Sequence, residues 1–436
     1  MAYEPWKIHH CDLGETCVLP ELEDGYQGIL LICWWKHTPL GQVRKTRTEW
    51  TEFKESFPES AISYLAHAVG HYYLKTVPGL GALNSENRPS LATILGDSGP
   101  ANPPETKTPG ASVIVCTRNR PDQLRKCLQS IRNLVHVPAQ VIVVDNAPGA
   151  NGTRRVVEEF AGVVYVPEPT PGLSVARNVG LNHCHTDFVA FTDDDVVVHP
   201  QWLGQIEKAF ADPEVMIVTG LVIPHSLDTQ AEYTFESEWG FSRGFVPLVF
   251  DKAYFNRSKD TELTVWEIGA GANMAARTDL FRQVGNFDER LGAGAAGCSE
   301  DSELWYRVLA GGHTCRYEPK VVVFHHHRSD MRQLRKQIQA YMRGHVVALL
   351  IQHARHHHKA NLRRLCIQLP LHTLRKIASR KFWTKLLSDE NTFLPEWTGI
   401  LTGVTYYFKH GNRKNKHVYA PPVYADKPLT EIDDHA

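Results

Sequence analysis

Short β-branched runs recur at Ala111–Cys116, Gln140–Asp145, Val163–Val166 and Asp187–Thr192, each apolar enough for a strand buried on both faces. Between the first two, Asp122 to Asn133 spaces Leu124, Leu128 and Ile131 by four and three, which predicts an amphipathic helix. Strands and helices in alternation predict an α/β domain with a largely parallel sheet, whose ligands bind beyond the carboxyl ends of the strands. Upstream, Gly28 to Trp35 reads as a strand, Thr38-Pro-Leu-Gly41 as a turn, and Glu59 to Lys75 as a helix. These predict a small accessory α+β domain over residues 1–95, without a catalytic constellation. Residues 96–110 are rich in Pro, Gly and small polar residues and read as a linker. The α/β domain then spans 111–328, and 329–436 form a basic, helical C-terminal region.

A chain of 436 residues predicts two or three domains. With 42% hydrophobic and 22% charged residues, wholesale disorder is excluded. The net charge of -1 hides an uneven distribution: residues 331 to 385 hold thirteen Lys or Arg and no Asp or Glu. Within them, Leu362 to Leu387 carries Leu365, Leu369, Leu374, Ile377 and Trp383 among basic residues, an amphipathic surface helix interrupted near Pro370. Such a helix rests on an anionic membrane, binds an anionic glycan, or packs on the preceding domain. No nucleic-acid recognition motif accompanies the charge, so no nucleic acid is expected. His356 to His358 read as a solvated face.

The nine cysteines include no C-x-x-C pair, which argues against structural zinc. Their scatter fits a reducing compartment, and Cys116 reads as a buried free thiol. Met1 to Glu15 lack a signal-peptide pattern, and the apolar runs Gly28–Trp35 and Val346–Ile351 fall short of the roughly 20 residues of a spanning helix. The expected localisation is cytoplasmic, with a peripheral position at the inner face of the membrane open to the basic region.

Three clusters carry candidate chemistry. Asp193-Asp194-Asp195 follows a predicted strand, and side chains two apart on extended backbone point the same way. Asp193 and Asp195 are therefore expected to converge on Mg²⁺ or Mn²⁺, which favour carboxylates and share their remaining positions with phosphates; a solvated acidic turn is the plainer alternative. Ser299 before Glu300 to Glu303 looks like a capped helix start, and it also offers a carboxylate beside a glycine-rich loop (Leu291 to Gly297) to deprotonate a hydroxyl. Val321 to Arg328 ends an apolar strand in three histidines, of which alternation sets His325 and His327 together and His326 opposite.

In this order and strand context, the features resemble the family 2 glycosyltransferases, inverting enzymes of the GT-A fold, over residues 111 to 328. Val113 to Thr117 with Arg118-Asn-Arg120 looks like the family's first nucleotide-contacting turn, implying Thr117 and Arg120 as donor contacts. Val143-Val-Asp145-Asn146 looks like its second, implying Asp145 against the base, and Pro171 to Asn178 matches a G-x-x-x-A-R-N element, implying Arg177 and Asn178 as nucleotide contacts. Asp193 to Asp195 matches the D-x-D motif, with Asp193 and Asp194 near the diphosphate and Asp193 and Asp195 on the cation. Glu300-Asp301 matches the ED element, implying Asp301 as catalytic base, and His325 fits a metal-ligand position. Arg118 departs from the pattern, standing where many members carry an aromatic residue.

The resemblance implies transfer of a sugar from a nucleotide diphosphate, UDP first by family precedent, to a glycan or lipid-linked hydroxyl with Mn²⁺ or Mg²⁺. Two other readings compete. A sugar-phosphate nucleotidyltransferase would need a glycine-rich turn that Thr117 to Pro121 lacks, and a non-catalytic binding protein would not need the acidic residues kept here.

Overall fold

The computed structural model describes residues 3–15, 17–74, 110–149, 152–261, 263–378 and 391–418. It opens with β1 (Trp6–Asp12), β2 (Gly28–Trp35) and β3 (Thr38–Thr46), with β1 parallel and β3 antiparallel to β2. The expected strand at Gly28 is present, but Thr38 to Gly41 is not the turn. Lys36 and His37 reverse the chain, Lys36 at φ 55°, and Thr38 already pairs with Trp35. Pro39 is tolerated because β3 is an edge strand, where a missing N–H breaks no ladder.

Alternation along β2 divides two cores. Ile29, Leu31, Cys33 and Trp35 pack on the helices Arg47–Glu55 and Ile62–Val69. Leu30, Ile32 and Trp34 join Trp6 in the core of the larger sheet, beside Ile217, Leu221 and Leu227. The Trp6 N–H donates to Leu227 O at 3.0 Å, and the Trp34 ring stacks on His199 with centroids 5.6 Å apart. The helix expected from Glu59 is present as consecutive 3-10, α and π segments ending at Leu74; Lys75 and linker residues 96–109 lie outside the described residues.

The larger sheet contains β4 (Ala111–Thr117), β5 (Gln140–Asp145), β6 (Val163–Pro167), β7 (Phe188–Asp193), β8 (Val196–Val198), β9 (Val215–Pro224), β10 (Leu248–Phe250), β11 (Asn273–Arg277) and β12 (Thr314–His325). Its order is β10-β12-β9-β11-β7-β4-β5-β6, with β8 on β12. β7, β4, β5 and β6 run parallel, and β11 runs antiparallel to both neighbours. Every residue of the central β4 is buried, as its unbroken apolar run predicts. The helix Pro121–Arg132 lays Leu124, Leu128 and Ile131 on the sheet, its proline at the first turn where no N–H is needed.

Beyond the sheet, the helix Met331–His356, capped by Asp330, lies along the helix Phe393–His410. Pro370 does not interrupt the basic helix. It stands in the first turn of Leu369–Ala378, after a π segment at Arg364–Gln368, while Trp383 and Leu387 lie outside the described residues. Of His356 to His358 only His357 is solvated: His356 is half-buried, its ring 5.3 Å from that of Tyr306, and Tyr306 Oη bonds His358 Nδ1. Cys11 and Cys17 form a disulfide, which does not fit the reducing compartment read from the cysteine scatter, while Cys116 is free and buried as expected. Among the described residues no helix is long and apolar enough to cross a membrane.

Candidate active site

The carboxyl ends of β4 and β7 open into a cavity of about 1640 Å3. Thr117, Arg120, Arg177, Asp193, Asp194, Asp195, Glu300, Asp301 and His325 all line it, which brings together most of the residues singled out from the sequence. Asp193 closes β7, and the turn Asp194–Asp195 leads into β8. Three carboxylates at one strand end repel, and guanidinium groups answer them. Arg120 Nη1 bonds Asp194 Oδ1 at 3.0 Å and Asp195 Oδ2 at 2.9 Å, while Thr117 Oγ1 donates to Asp194 Oδ2 at 2.8 Å. Asp193 turns instead to Arg177, 3.3 Å away. The expected convergence of Asp193 and Asp195 on one ligand is thus replaced here by two different arginines.

Arg177, 2% exposed, ties the two acidic elements together. Its Nη1 donates to Glu300 Oε1 at 2.8 Å, its Nη2 to Asp193 and to Gly271 O, and Phe287 stacks beneath it at 5.4 Å. The guanidinium is thus held by protein partners at the cavity wall, where the resemblance implied a nucleotide contact. Glu300 and Asp301 begin the helix Glu300–Ala310, where the macrodipole favours negative charge. Ser299 does not cap that helix: at φ 68° its hydroxyl swings to Cys298 Sγ, 3.1 Å away. Asp301 Oδ2 accepts from Gly271 N at 2.8 Å and Oδ1 from Ser302 N at 2.6 Å, which aims the carboxylate along the cavity wall.

Two expected donor contacts do not reach the cavity. Asp145 is fully buried, its oxygens accepting from Tyr165 Oη at 2.9 Å and Ala147 N at 3.1 Å. Asn178 is fully buried as well, exchanging two 3.0 Å hydrogen bonds with the backbone of Phe287. Asn146, one residue past Asp145, lines the wall in its place.

Burial raises the pKa of Asp193; it also pushes Asp194 up to about 6, helped by Asp195, and Glu300 to about 7, helped by Asp301. Five carboxylates thus gather at one end of a cavity whose wall also carries Arg118, Arg120, Arg177, Arg243 and Arg328, and a divalent cation beside Asp195 would add to that compensation. Burial holds the His325 pKa down at about 4, leaving a neutral imidazole. Its Nε2 stands 3.5 Å from Asp195 Oδ1. Among the described residues no three His, Cys, Asp or Glu side chains gather closely enough to hold a metal ion unaided. The donor set fitting a cation is therefore Asp195 with His325, completed by phosphate oxygens as is usual for Mg²⁺.

Several residues at the site were not singled out from the sequence. Arg328 lies 3.7 Å from Asp195 Oδ2, and its signal was its place directly after the histidine run. Gly271 bonds both Asp301 and Arg177, and a Cβ there would stand 3.0 Å from Asp301 Oδ2 and 3.1 Å from the Arg177 guanidinium. The alternating glycines of Gly269-Ala-Gly271 were its trace. Glu236, behind His327, left none.

A parallel-rich sheet with an acidic turn at its carboxyl edge is an α/β arrangement that places a ligand site beyond the strand ends. The family described as glycosyl transferase family 2 matches residues 112–285, and this segment is a family 2 glycosyltransferase domain. The chain is 31% identical over 279 residues to the pre-mycofactocin glycosyltransferase of Mycobacterium tuberculosis, a match covering 60% of this chain and 53% of that relative. It thus spans about half the length of that protein. It is 23% identical over 236 residues to glycosyltransferase AglE of Haloferax volcanii, covering 52% of this chain and 71% of the relative. A solved mannosyltransferase, PcManGT from Pyrobaculum calidifontis in complex with GDP-Man and Mn²⁺, aligns with a TM-score of 0.46 at 18% identity, over 71% of this chain and 89% of its own.

Proposed function

We propose that the chain transfers a sugar from a nucleotide-diphosphate donor, UDP-linked by family precedent, to a hydroxyl of a glycan or lipid-linked glycan, inverting the anomeric centre. The observation that carries this is the shared cavity, in which the Asp193–Asp195 turn and the Glu300-Asp301 pair are joined through Arg177. Residues 111–328 form the transferase unit, with 1–95 accessory to it. Thr117 and Arg120 border the donor diphosphate, and Asp195 with His325 holds the cation, Mn²⁺ or Mg²⁺, Asp193 and Asp194 lying beside it. When bound, that cation supplies charge to stabilise the leaving diphosphate. Asp301 takes the proton of the acceptor hydroxyl, and Glu300, clamped by Arg177, keeps the helix start in place. With one base and no covalent intermediate, attack comes from the face opposite the leaving group.

Trp239, Tyr254 and Trp266 line the same cavity, an aromatic lining that suits an acceptor glycan. The helix Leu369–Ala378 turns Leu369, His372 and Lys376 to the cavity, while Leu371 and Leu374 are exposed on it. That arrangement supports a peripheral position on the anionic inner face of a membrane, with the cavity near a lipid-linked acceptor.

The test is donor turnover with Mn²⁺ in wild type and Asp301→Asn. Loss of roughly 10²–10⁴-fold in rate with nucleotide binding retained is expected of the base. A binding protein without chemistry would leave the wild-type donor intact, and a nucleotidyltransferase would release pyrophosphate from sugar phosphate and nucleoside triphosphate.

A further inference from the structure

Behind the cavity wall, three side chains run in series to Asp195. Glu236, on the helix Gln230–Trp239, places Oε2 at 3.1 Å from His327 Nε2. His327 Nδ1 lies 3.0 Å from His325 Nδ1, and His325 Nε2 faces Asp195 Oδ1 at 3.5 Å. All four residues are buried. Phe235 and Phe241 wall off the rings, with centroids 4.6 Å from His327 and 5.7 Å from His325 respectively. His326 points the other way, onto His225.

The tighter of the two carboxylate contacts sets the direction of the hydrogen bonds: His327 Nε2 lies 3.1 Å from Glu236 Oε2, against 3.5 Å from His325 Nε2 to Asp195 Oδ1. A carboxylate accepts, so His327 carries its hydrogen on Nε2. In a ring with one such hydrogen, Nδ1 is a lone pair, so the hydrogen between the two Nδ1 atoms belongs to His325. His325 Nε2 is then a bare lone pair aimed at a carboxylate oxygen. Two acceptors face each other, and a cation between them satisfies both. The other Asp195 oxygen is engaged by Arg120 and Arg328, which leaves Oδ1 for that cation.

We propose that Glu236 and His327 are positioning residues, fixing the tautomer and ring plane of His325 so that its Nε2 joins Asp195 Oδ1 in holding a divalent cation. The inference rests on the reading above that this pair takes the metal. Partners of this kind behind a metal ligand contribute about 10- to 100-fold in metal affinity.

The experiment measures Mn²⁺ binding to the full chain with UDP present, by calorimetry, together with nitrogen hyperfine coupling to Mn²⁺ in pulsed electron paramagnetic resonance. Wild type shows imidazole nitrogen coupling, and His325→Ala removes it. Glu236→Leu and His327→Phe bind Mn²⁺ about 10- to 100-fold more weakly and lose most of the coupling. Glu236→Gln, whose amide oxygen still accepts from Nε2–H, stays near wild type. A merely structural Glu236 would lower the melting temperature and leave the coupling of the folded fraction intact. Unchanged affinity and coupling in the Leu and Phe variants, with His325→Ala defective, overturns the relay while the metal reading stands. Absence of nitrogen coupling in wild type overturns both. Should those variants fail to fold, nitrogen NMR of Mg²⁺-loaded wild type decides: hydrogens on Nε2 of His327 and Nδ1 of His325 are expected, and the reverse tautomers overturn the relay.

Discussion

Arg177 is the residue at which the two acidic elements meet. Replacing it with Met leaves the buried Glu300 without its countercharge and the partly exposed Asp193 without its partner, a defect of about 3–5 kcal/mol for a broken buried pair. Chemical denaturation of Arg177→Met should show a loss of that order. A second consequence concerns pH. Asp194 at about 6 and Glu300 at about 7 lie above the unfolded carboxylate range, so their contribution to stability is whole at low pH and is lost as pH rises through those values. A cation offsets the charge that appears. Mn²⁺ with UDP is therefore expected to raise the melting temperature more at about pH 8 than at about pH 5.5; equal increments would count against a metal in this cavity. The acidic turn, the carboxylates of Glu300-Asp301 and His325 were legible as cavity residues because residue type and element ends locate them, and Thr117 and Arg120 because the resemblance marks their turn. The burial of Asp145 and Asn178 was not legible, because their distant partners, Tyr165 for one and the Phe287 backbone for the other, leave no local mark.

At the level of elements, the strands and the helix Pro121–Arg132 were readable because their apolar periodicity is strong. The start of the helix Glu300–Ala310 was not, since its tertiary setting holds Ser299 in a left-handed conformation that the capping pattern does not foresee. That setting includes the helix Met331–His356, whose Gly344 lies flat on the backbone of Cys298: a Cβ there would stand 2.6 Å from Cys298 O and 2.7 Å from its N. Gly344→Ala is expected to cost about 1–3 kcal/mol by overpacking. It should also slow transfer by shifting the residues just before Asp301, which melting curves and turnover rates together would reveal. The helix Leu369–Ala378 makes a separate prediction. Leu371→Glu with Leu374→Glu should abolish salt-sensitive sedimentation with anionic vesicles while leaving turnover of a water-soluble acceptor unchanged. Undiminished sedimentation would remove that surface from the membrane reading.

Across the whole molecule, buried imidazoles set the response to acid. Burial pushes His10, His199 and His325 down to about 4 and His345 to about 3. Each pKa lies below its unfolded value, so the stability tied to the neutral ring is present above about pH 6.5 and is lost as pH falls toward the folded value. His10 and His199 flank Trp34, where the small sheet meets the large one; Trp34 Nε1 donates to His10 Nδ1 at 3.0 Å. Hydrogen exchange between about pH 6.5 and 4.5 should therefore rise first in β1 and β2, ahead of β4 and β5. No sequence pattern announces this seam, because alternation along β2 shows two buried faces but not what covers each.

The same seam sets a limit on dissection. A fragment cut at residue 111 would lose the lid formed by Trp6, Leu30, Ile32 and Trp34, and would present Ile217, Leu221 and Leu227 to water as a greasy wall. Expressed alone, such a piece is expected to clump, and supplying residues 3–74 as a separate polypeptide should restore it to solution.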